Sequence, residues 1–542
     1  MNRNQRRLAK KQQDTEKRRA LPTLQRLFDE AVRHHQAARL ADAERLYRQI
    51  LSVDPHHADS LHSLGLVGHQ LGHRDGAIEL IGQAIRLRDD VPSYHNNLGL
   101  ILQAAGKLDA AAECYRRALA LDPQLAATNY NLGLIYKAQG NFEAAADCYE
   151  RALALAPDDT QAQINLGDAL QAQGKLDAAI AWYERALQRA PDDVVGHINL
   201  GNAFHAQGRL DAALGCYERA CALKPDDDVA LKNRAGVLKS LGRLDESFAV
   251  CRRVAELRAR EPARREPQPV WPHKLKHDRE QLDYLIGTYP AADTFRVAAE
   301  SLAQQPARAA EIFAGLFHLE PGARLAEPAL AATIDVAAVQ ATWDATHPNV
   351  VVIDNLLTPE ALDALRRFCW GSTVWQAGYA GGYLGAFLND GFACPLLAQI
   401  AAELAVKLPG IIRNHPVMTV WGFHYDSALE GTSLHADEAA VNVNFWITPD
   451  DANLDPDGGG LVIWDVPAPL DWDYEKYQKD PPAIRAFLAE QKAKSITVPY
   501  RCNRAVVFDS DLFHETDRLS FREGYLNRRI NVTMLYGWRH DE

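Results

Sequence analysis

Residues 131–164 read NLGLIYKAQGNFEAAADCYERALALAPDDTQAQI, and residues 165–198 repeat the pattern as NLGDALQAQGKLDAAIAWYERALQRAPDDVVGHI. The Leu-Gly pair of this stretch recurs at five points along the chain, always 34 residues apart, from Gly65 to Gly201. A fixed period of this length is typical of stacked two-helix units, each of which buries its apolar face against its neighbours. The sequence therefore predicts an all-α solenoid in the first half of the chain.

Three further columns of the repeat indicate how its two helices would pack. An alanine stands twelve residues after each glycine, and in four of the five units a tyrosine follows four residues later, as at Ala145 and Tyr149. A proline closes most units, as at Pro157. Small residues let two helices approach closely, the aromatic ring fills the gap between them, and proline cannot continue the second helix. We predict one helix hairpin per unit.

This pattern resembles the tetratricopeptide repeat, with about seven units over residues 24–261 and degenerate units at both ends. The resemblance implies that one asparagine column of the first helix lines the groove of the solenoid. An asparagine amide both donates and accepts, so it matches the backbone of an extended chain. A similar amide column holds polypeptide in the repeat domain of the O-linked N-acetylglucosamine transferases. The column consists of Asn97, Asn131, Asn165, Asn199 and Asn233.

Two alternatives to peptide binding remain open for this column. The asparagines could bond only between neighbouring helices of the solenoid. The groove could also receive a docking protein in place of a substrate polypeptide. The repeats by themselves indicate no reaction.

Composition limits the class of protein. The 542 residues carry a formal net charge of −12, which argues against a generally nucleic-acid-binding surface. No run of about 18 apolar residues is present to cross a bilayer. Residues 1–23 are highly charged and lack the apolar stretch of a secretory signal, so we expect a solvated basic tail and a cytoplasmic protein. The sequence leaves the oligomeric state open.

The second half begins after a connection rich in proline and arginine. We predict a linker over residues 262–274, a helical bridge over residues 275–347, and a separate domain over residues 348–542. That domain contains short apolar runs separated by turns, such as VMTVWGFHY (417–425) and RRINVTMLYGW (528–538). Such runs predict a β-sandwich or a closed barrel.

Three residues of this domain have the chemistry of a metal site. His435 and Asp437 stand two apart in the sequence LHAD, which places both side chains on one face of a strand. His514 follows a later strand. Two imidazoles and one carboxylate form the ligand set of a facial triad that leaves three positions open on iron(II).

Residues 348–542 resemble the iron(II)- and 2-oxoglutarate-dependent oxygenases. The resemblance rests on VVVIDNLLTPEALDALRRF at the start, GGGLVIWD before a core strand, and RRINVTMLYG at the last strand. It implies a double-stranded β-helix (jelly-roll) domain of prolyl-hydroxylase-like type. It also implies that His435, Asp437 and His514 bind Fe(II), with 2-oxoglutarate and O2 as cosubstrates.

The same resemblance suggests which residues bind 2-oxoglutarate. The two-residue period of the last strand puts Arg529, Asn531 and Thr533 on one face, so Arg529 is the expected partner of the distal carboxylate and Thr533 would assist. Arg528 would point outward. Tyr425 occupies the position of a cosubstrate-binding tyrosine, and Asn442 and Asn444 lie on a strand that should look into the pocket. The interval from His514 to Arg529 is longer than in relatives, so the loop residues Arg518 and Arg522 are competing candidates.

An insertion follows Asp465 and precedes Ser495. It is rich in aromatic residues, of which Trp472, Tyr474 and Tyr477 would contact substrate if the insertion covers the mouth of the pocket. Alternatively, these rings pack the insertion onto the barrel.

The combined features favour a dioxygenase that hydroxylates a prolyl, aspartyl or asparaginyl side chain of a protein recruited by the repeat groove. Collagen-type prolyl hydroxylases share this combination of modules, although architecture alone does not fix a substrate. The alternatives are an oxygenase acting on a small molecule or glycan, with the repeats used for docking, and a non-catalytic repeat scaffold.

Overall fold

The computed structural model describes residues 23–260, 271–305, 308, 312–313, 316–412, 415–426 and 431–539. The expected basic tail, except for residue 23, and residues 262–270 of the expected linker lie outside these ranges. By its internal contacts the chain divides into two compact units, Met1–Gln207 and Gly208–Glu542. The boundaries expected from the sequence between repeats, linker, bridge and barrel stay predictions.

Fourteen helices follow one another through residues 23–260, in seven consecutive pairs. They are α1 (23–36), α2 (Leu40–Val53), α3 (Ala58–Gln70), α4 (Arg74–Leu87), α5 (Pro92–Ala104), α6 (Leu108–Leu121), α7 (Ala126–Ala138), α8 (Phe142–Leu155), α9 (Thr160–Ala172), α10 (Leu176–Arg189), α11 (Val194–Ala206), α12 (Leu210–Leu223), α13 (Asp228–Ser240) and α14 (Leu244–Arg260). The first eleven belong to the first unit and the last three to the second.

The α9–α10 pair shows the close approach that the sequence pattern predicted. A Cβ atom added at Gly167 in α9 would lie 2.5 Å from Cε1 of Tyr183 in α10, whose side chain is fully buried. Only glycine therefore lets the ring lie against the first helix. The turn between these helices contains Gly174 at φ +75°, a conformation that side-chain-bearing residues rarely adopt. The Asp159 side chain caps α9 by accepting the Ala162 N–H at 3.0 Å.

Eight further helices lie wholly within the described residues of the rest of the second unit. They are α15 (Pro272–Thr288), α16 (Asp293–Gln304), α17 (Val336–Ala345), α18 (Pro359–Gly371), α19 (Pro395–Lys407), α20 (Pro409–Ile412), α21 (Tyr474–Lys479) and α22 (Pro481–Glu490). Residues 316–335, in the segment expected to be a helical bridge, contain no helix. Pro321 and Pro328 disfavour a continuous helix here. The backbone N–H groups of Ala329 and Leu330 instead donate to the Glu403 carboxylate of α19.

Among the described residues, ten strands form two antiparallel sheets. The strands are β1 (Val350–Asp354), β2 (Ala377–Tyr379), β3 (Tyr383–Phe387), β4 (Val417–Tyr425), β5 (Val441–Trp446), β6 (Leu461–Pro467), β7 (Ser495–Val498), β8 (Arg504–Asp509), β9 (Leu512–Thr516) and β10 (Ile530–Tyr536). One sheet has the order β1-β8-β5-β10-β4-β3-β2, and the other has the order β7-β6-β9. The apolar runs of the sequence coincide with β1, β4, β5, β6, β8 and β10.

The two sheets face each other across an apolar core. Trp446 and Phe508 of the large sheet pack in one cluster with Leu461, Ile463 and Leu512 of the small sheet, and all five side chains are buried. Burying a side chain of this size contributes roughly 1.5–3 kcal/mol. The core therefore fixes the spacing of the sheets around the polar pocket described below. Within the described part of the chain, no helix is long and apolar enough to span a membrane.

Candidate metal centre and its pocket

His435, Asp437 and His514 come together at one end of the small sheet. The backbone of the segment before β5 pairs with β9, because the His435 N–H donates to the His514 carbonyl at 3.0 Å and the His514 N–H donates to the His435 carbonyl at 2.7 Å. One ligand atom from each of the three side chains lies within 4.8 Å of the others. Nε2 of His435 is 3.6 Å from Oδ1 of Asp437, and Nε2 of His514 is 3.4 Å from Oδ2.

The outer nitrogens of both imidazoles are fixed by backbone carbonyls. Nδ1 of His435 donates to the Ser433 carbonyl at 2.6 Å, and Nδ1 of His514 donates to the Leu512 carbonyl at 3.0 Å. A carbonyl can only accept, so Nδ1 carries the proton in each ring and the lone pair of Nε2 faces the carboxylate. This arrangement orients ligating histidines in many metal sites.

The Asp437 carboxylate is held by two amides from different parts of the chain. Asn442 on β5 donates from Nδ2 to Oδ2 at 2.8 Å, and Gln478 on α21 donates from Nε2 to Oδ1 at 3.4 Å. The sequence already placed Asn442 on the strand that follows His435 and Asp437. Gln478 was missed, since it lies in the insertion and no motif marks it.

Burial sets the charge of the centre. Asp437 and His514 are 2% and 3% exposed, and His435 is slightly more open. Burial, helped by the neighbouring His514 ring and opposed by the Asp437 carboxylate, lowers the pKa of the His435 imidazole to about 4. His435 is therefore neutral near pH 7, which is the form that binds a metal ion.

The three side chains open into a pocket between the two sheets. Four residues expected to bind a cosubstrate line it together with the triad, whereas Arg518 and Arg522 are not among its lining residues. The pocket is lined by Trp421, Phe423, Tyr425, Thr432, His435, Asp437, Asn444, Leu461, His514, Thr516, Arg529, Asn531 and Thr533.

Arg529 is a buried cation on the inner wall of this pocket. Its side chain is 1% exposed, and its guanidinium carbon lies 4.6 Å from the centre of the Tyr425 ring and 5.5 Å from that of Trp446. Nη2 donates to the Gly460 carbonyl at 3.2 Å, but Nε and Nη1 have no hydrogen-bond partner within the described ranges. Burial lowers the pKa of this guanidinium. Unpaired buried donors of a cation are costly, and an anion in the pocket would satisfy them.

Three polar side chains complete this wall. Thr533 Oγ1 accepts one hydrogen bond from Asn444 Nδ2 at 3.1 Å and another from Asn531 Nδ2 at 3.2 Å. With both acceptor positions of the hydroxyl in use, its proton is left to donate. Oδ1 of Asn444 and Oδ1 of Asn531 have no partner among the described residues. Asn531 lies on the expected face, but the sequence reasoning did not select it as a binding residue.

Arg528 faces away from the pocket, as the strand period predicts, but it does not reach solvent. Its side chain is 3% exposed, donates from Nε to the Glu280 carboxylate at 2.8 Å, and lies 3.1 Å from the Asp426 carboxylate through Nη1. Because Glu280 belongs to α15, this helix covers the side of the chain just before β10 that faces away from the pocket.

Two of the three aromatic side chains singled out in the insertion pack the insertion onto the small sheet. Trp472 contacts Phe487 and Phe513 with ring centres 5.1 Å and 6.0 Å apart, and Tyr477 is buried in the same cluster. Tyr474 is 46% exposed. None of these three residues lines the pocket, so the packing alternative describes Trp472 and Tyr477.

Three asparagines of the repeat column bond to side chains of the preceding repeat. The bonds are Asn97 Nδ2 to His62 Nε2 at 2.9 Å, Asn165 Nδ2 to Tyr130 Oη at 3.1 Å, and Asn199 Nδ2 to Asp168 Oδ1 at 2.7 Å. Asn131 on α7 and Asn233 on α13 are half-buried. These bonds are the ones that the interhelical alternative expects, and peptide binding by the column stays a prediction.

Comparison with known families identifies the repeats. Family models described as tetratricopeptide repeats match residues 90–158, 130–194 and 201–242. The first half of the chain therefore contains tetratricopeptide repeats, a class that generally binds peptide or protein partners. No curated protein matches the chain.

Several solved structures are similar to parts of the chain. The crystal structure of MamA shares 25% identity, covers 30% of this chain and 94% of that chain, and gives a TM-score of 0.29. YrrB, described as a TPR protein with an unusual peptide-binding site, shares 18% identity over 34% of this chain and 95% of that chain, with a TM-score of 0.33. PilF of Pseudomonas aeruginosa shares 18% identity over 39% of this chain and 96% of that chain, with a TM-score of 0.35.

Proposed function

We propose that the protein is an iron(II)- and 2-oxoglutarate-dependent dioxygenase that hydroxylates a side chain of a polypeptide. The observation that carries this proposal is Arg529, a buried cation with two unpaired N–H donors in the same pocket as two histidines and an aspartate. A metal site alone would fit many functions. A metal site beside a buried anion site fits a reaction in which an anionic cosubstrate chelates the metal.

The donor set fits iron(II). His435 and His514 present Nε2 lone pairs, and Asp437 presents a carboxylate oxygen that two amides hold in place. Two imidazoles and one carboxylate on one side of a metal leave three positions for other ligands, which is the arrangement of non-haem iron oxygenases. We propose in the same way that the two facing sheets form the double-stranded β-helix of that family.

The opposite wall fits the distal carboxylate of 2-oxoglutarate. Nε and Nη1 of Arg529 are free to donate to a carboxylate as a charge-assisted pair. The Thr533 hydroxyl proton and the Tyr425 hydroxyl are further donors in the same pocket, and Asn444 positions Thr533. Arg518 and Arg522 are exposed on their loop, so Arg529 is the proposed partner.

When bound, iron(II) with 2-oxoglutarate and O2 supplies the oxidising chemistry that inserts oxygen into a substrate C–H bond. The protein holds the cosubstrate at Arg529, keeps the triad in its open geometry, and excludes water with buried rings such as Trp446 and Tyr425. The tetratricopeptide repeats supply a surface for a polypeptide, so we propose a prolyl, aspartyl or asparaginyl side chain as the target.

Anaerobic equilibrium dialysis tests the two halves of this site together. The wild-type protein should retain one Fe(II) per chain, and 2-oxoglutarate should bind only when the metal is present. His514→Ala should lose the metal, whereas His73→Ala, which changes an exposed histidine before α4, should retain it. If the wild type and His514→Ala retain equal amounts of iron, the metal is not held by the triad and the proposal fails.

A further inference from the structure

The large sheet carries five half-buried aromatic side chains at its β4-β3-β2 end, on the face that elsewhere covers the small sheet. We call this surface the aromatic face. It consists of Tyr379, Tyr383, Phe387, Trp421 and Phe423. By contrast, Trp446 and Phe508 on the same sheet are fully buried by the small sheet. Half-buried rings grouped at one place are typical of a binding surface.

The rings lie side by side over the sheet. Tyr379 and Tyr383 stack with centres 4.7 Å apart and planes 9° apart, and Phe423 meets Tyr383 edge-on at 5.1 Å. Phe423 also meets Phe387 at 6.4 Å and 85°. Gly385 lies beneath them, since a Cβ atom there would be 3.0 Å from Phe387 and 3.1 Å from Tyr379. The result is a tiled apolar platform and not a cage that encloses one group.

The aromatic face is continuous with the candidate metal centre. Trp421 and Phe423 line the pocket that also contains His435, Asp437 and His514. Both rings belong to β4, which also supplies Tyr425 beside Arg529. A ligand that lies on the aromatic face can therefore place one side chain in the pocket.

The aromatic face presents no charge. In the described parts of β2, β3 and β4, the residues of this face are aromatic, Ala377, Gly385 or other uncharged types. Burial raises the pKa of the Tyr379 and Tyr383 hydroxyls, so both are neutral at pH 7. The Asp390 carboxylate near Tyr379 is paired with Arg258 at 2.8 Å.

The arrangement of the rings also disfavours a cationic ligand. Lys479 stacks over the Tyr474 ring at 4.9 Å, and its ammonium is paired with the Glu475 carboxylate at 2.7 Å, so neither charge is left to attract a ligand of the opposite sign. The flat tiling of the rings likewise lacks the enclosure with which aromatic cages bind ammonium groups.

We infer that the aromatic face binds an uncharged, apolar segment of the polypeptide substrate, next to the residue that enters the pocket. This inference rests on the proposed function and specifies its substrate. β2 is an edge strand, with β3 as its neighbour in the sheet, and an edge can pair with an extended peptide. A saccharide would need hydrogen-bond partners for many hydroxyls, and the rings offer few.

The test uses three blocked pentapeptides and ¹⁹F NMR of the full chain labelled with 5-fluorotryptophan. Trp421→Phe assigns the Trp421 resonance. The apolar probe is acetyl-Ala-Phe-Pro-Val-Ala-amide, and the charged probes replace Phe and Val with two glutamates or two lysines. The apolar probe should shift the Trp421 resonance with a dissociation constant about tenfold below those of both charged probes, because charged groups would lose water against the rings.

Variants of the aromatic face locate the binding. Phe387→Ala should weaken the apolar probe by about tenfold, as expected for loss of one ring contact. If Phe387→Ala does not fold, Phe387→Leu replaces it in the experiment and should also raise the dissociation constant of the apolar probe. Val406→Ser, at a side chain 81% exposed on α19, should leave the dissociation constant unchanged.

Two results would overturn the inference. One is equal or tighter binding of either charged probe, including a preference for the lysine peptide that would indicate cation recognition. The other is an unchanged dissociation constant in both Phe387 variants. The binding is measured without iron and repeated in His435→Ala, so a failure of the oxygenase proposal leaves this result intact. A failure of the inference leaves iron and 2-oxoglutarate binding intact.

Discussion

Arg528 and Arg529 are adjacent in sequence, equally inaccessible, and lie on opposite sides of the last strand. The Arg529 guanidinium lies 4.6 Å over the Tyr425 ring inside the pocket, with two donors unpaired. The Arg528 guanidinium lies on the other side and is paired with Glu280 and Asp426. Arg528 therefore meets two carboxylates of the protein and leaves only Nη2 without a partner among the described residues, whereas Arg529 forms no ion pair there and leaves Nε and Nη1 without partners.

Replacing Arg529 should weaken 2-oxoglutarate specifically. Hydrogen bonds to a charged group contribute about 1.5–3 kcal/mol, so Arg529→Met should raise the dissociation constant of 2-oxoglutarate by roughly 10- to 100-fold. Arg529→Lys keeps the charge but lacks the paired donors, so its dissociation constant should lie between those of the wild type and Arg529→Met. Equilibrium dialysis of the iron-loaded protein measures the constant.

The loop arginines provide the control for that experiment. Arg522 is exposed and lies 3.8 Å from Asp451, so Arg522→Met should leave the dissociation constant unchanged. If Arg522→Met greatly weakened 2-oxoglutarate binding and Arg529→Met did not, the 2-oxoglutarate carboxylate would be bound by the loop and not by Arg529.

Replacing Arg528 should affect stability more than ligand binding. Arg528→Met leaves the half-buried Glu280 carboxylate without this partner and the buried Asp426 carboxylate with only Lys276, and breaking a buried pair of this kind costs about 3 kcal/mol. Urea unfolding followed by tryptophan fluorescence reports on this part of the chain, since only Trp182 precedes Trp271. Arg522→Met, which breaks an exposed pair, should cost less than about 0.5 kcal/mol.

The glycine-tyrosine contact should stabilise the repeats that contain it. Gly167→Ala places a Cβ atom 2.5 Å from the buried Tyr183 ring, and overpacking of this kind costs about 2 kcal/mol. Gly82→Ala, in the interior of α4, meets only the flexible end of Arg86 at 3.5 Å and should stabilise the helix by about 0.5–1 kcal/mol. Thermal unfolding followed by circular dichroism should move in opposite directions for the two variants.

The acid stability of the β-rich part of the second unit should depend on Asp354. Its carboxylate accepts hydrogen bonds from Arg504 at 2.6 Å and 3.0 Å, and these bonds, despite partial burial, hold its pKa below the ordinary value. A lowered pKa in the folded state stabilises the protein above the unfolded pKa, and this stability is lost as pH falls through the folded pKa.

Asp354→Asn should therefore flatten the fall in unfolding free energy below about pH 4, where unfolded aspartate titrates. Arg504→Met removes the larger part of this interaction and should give a smaller flattening in the same direction, because Arg501 Nη1 remains 3.2 Å from Asp354 Oδ2. Urea unfolding at a series of pH values measures both variants. An unchanged acid slope in both would show that this pair does not contribute.

The sequence could predict those features of the fold that follow from a repeating pattern within a short stretch of chain. Gly167 and Tyr183 are sixteen residues apart in one repeat, so their contact is implied by a single unit of the sequence. The two-residue period of a strand placed Arg529, Asn531 and Thr533 on one face, and all three line the pocket.

The parts that could not be predicted depend on residues distant in sequence. Arg528 is paired with Glu280, which lies 248 residues earlier on a helix whose face the sequence does not specify. Gln478 reaches Asp437 from an insertion with no recognisable pattern. The amide of Asn199 is bonded to Asp168, and only the stacking of repeats brings these two side chains together. Periodicity gives the direction of a side chain but not its partner.

Oxygen-dependent conversion of 2-oxoglutarate tests the central claim most directly. The iron-loaded protein is exposed to O2 with 2-oxoglutarate, with and without a tryptic digest of cellular protein as a source of peptides, beside His435→Ala and the His73→Ala control. Wild type and His73→Ala should form succinate and carbon dioxide in equal amounts, and His435→Ala should form neither. Absence of succinate from the wild type in both conditions, or equal rates in wild type and His435→Ala, would contradict the proposed dioxygenase.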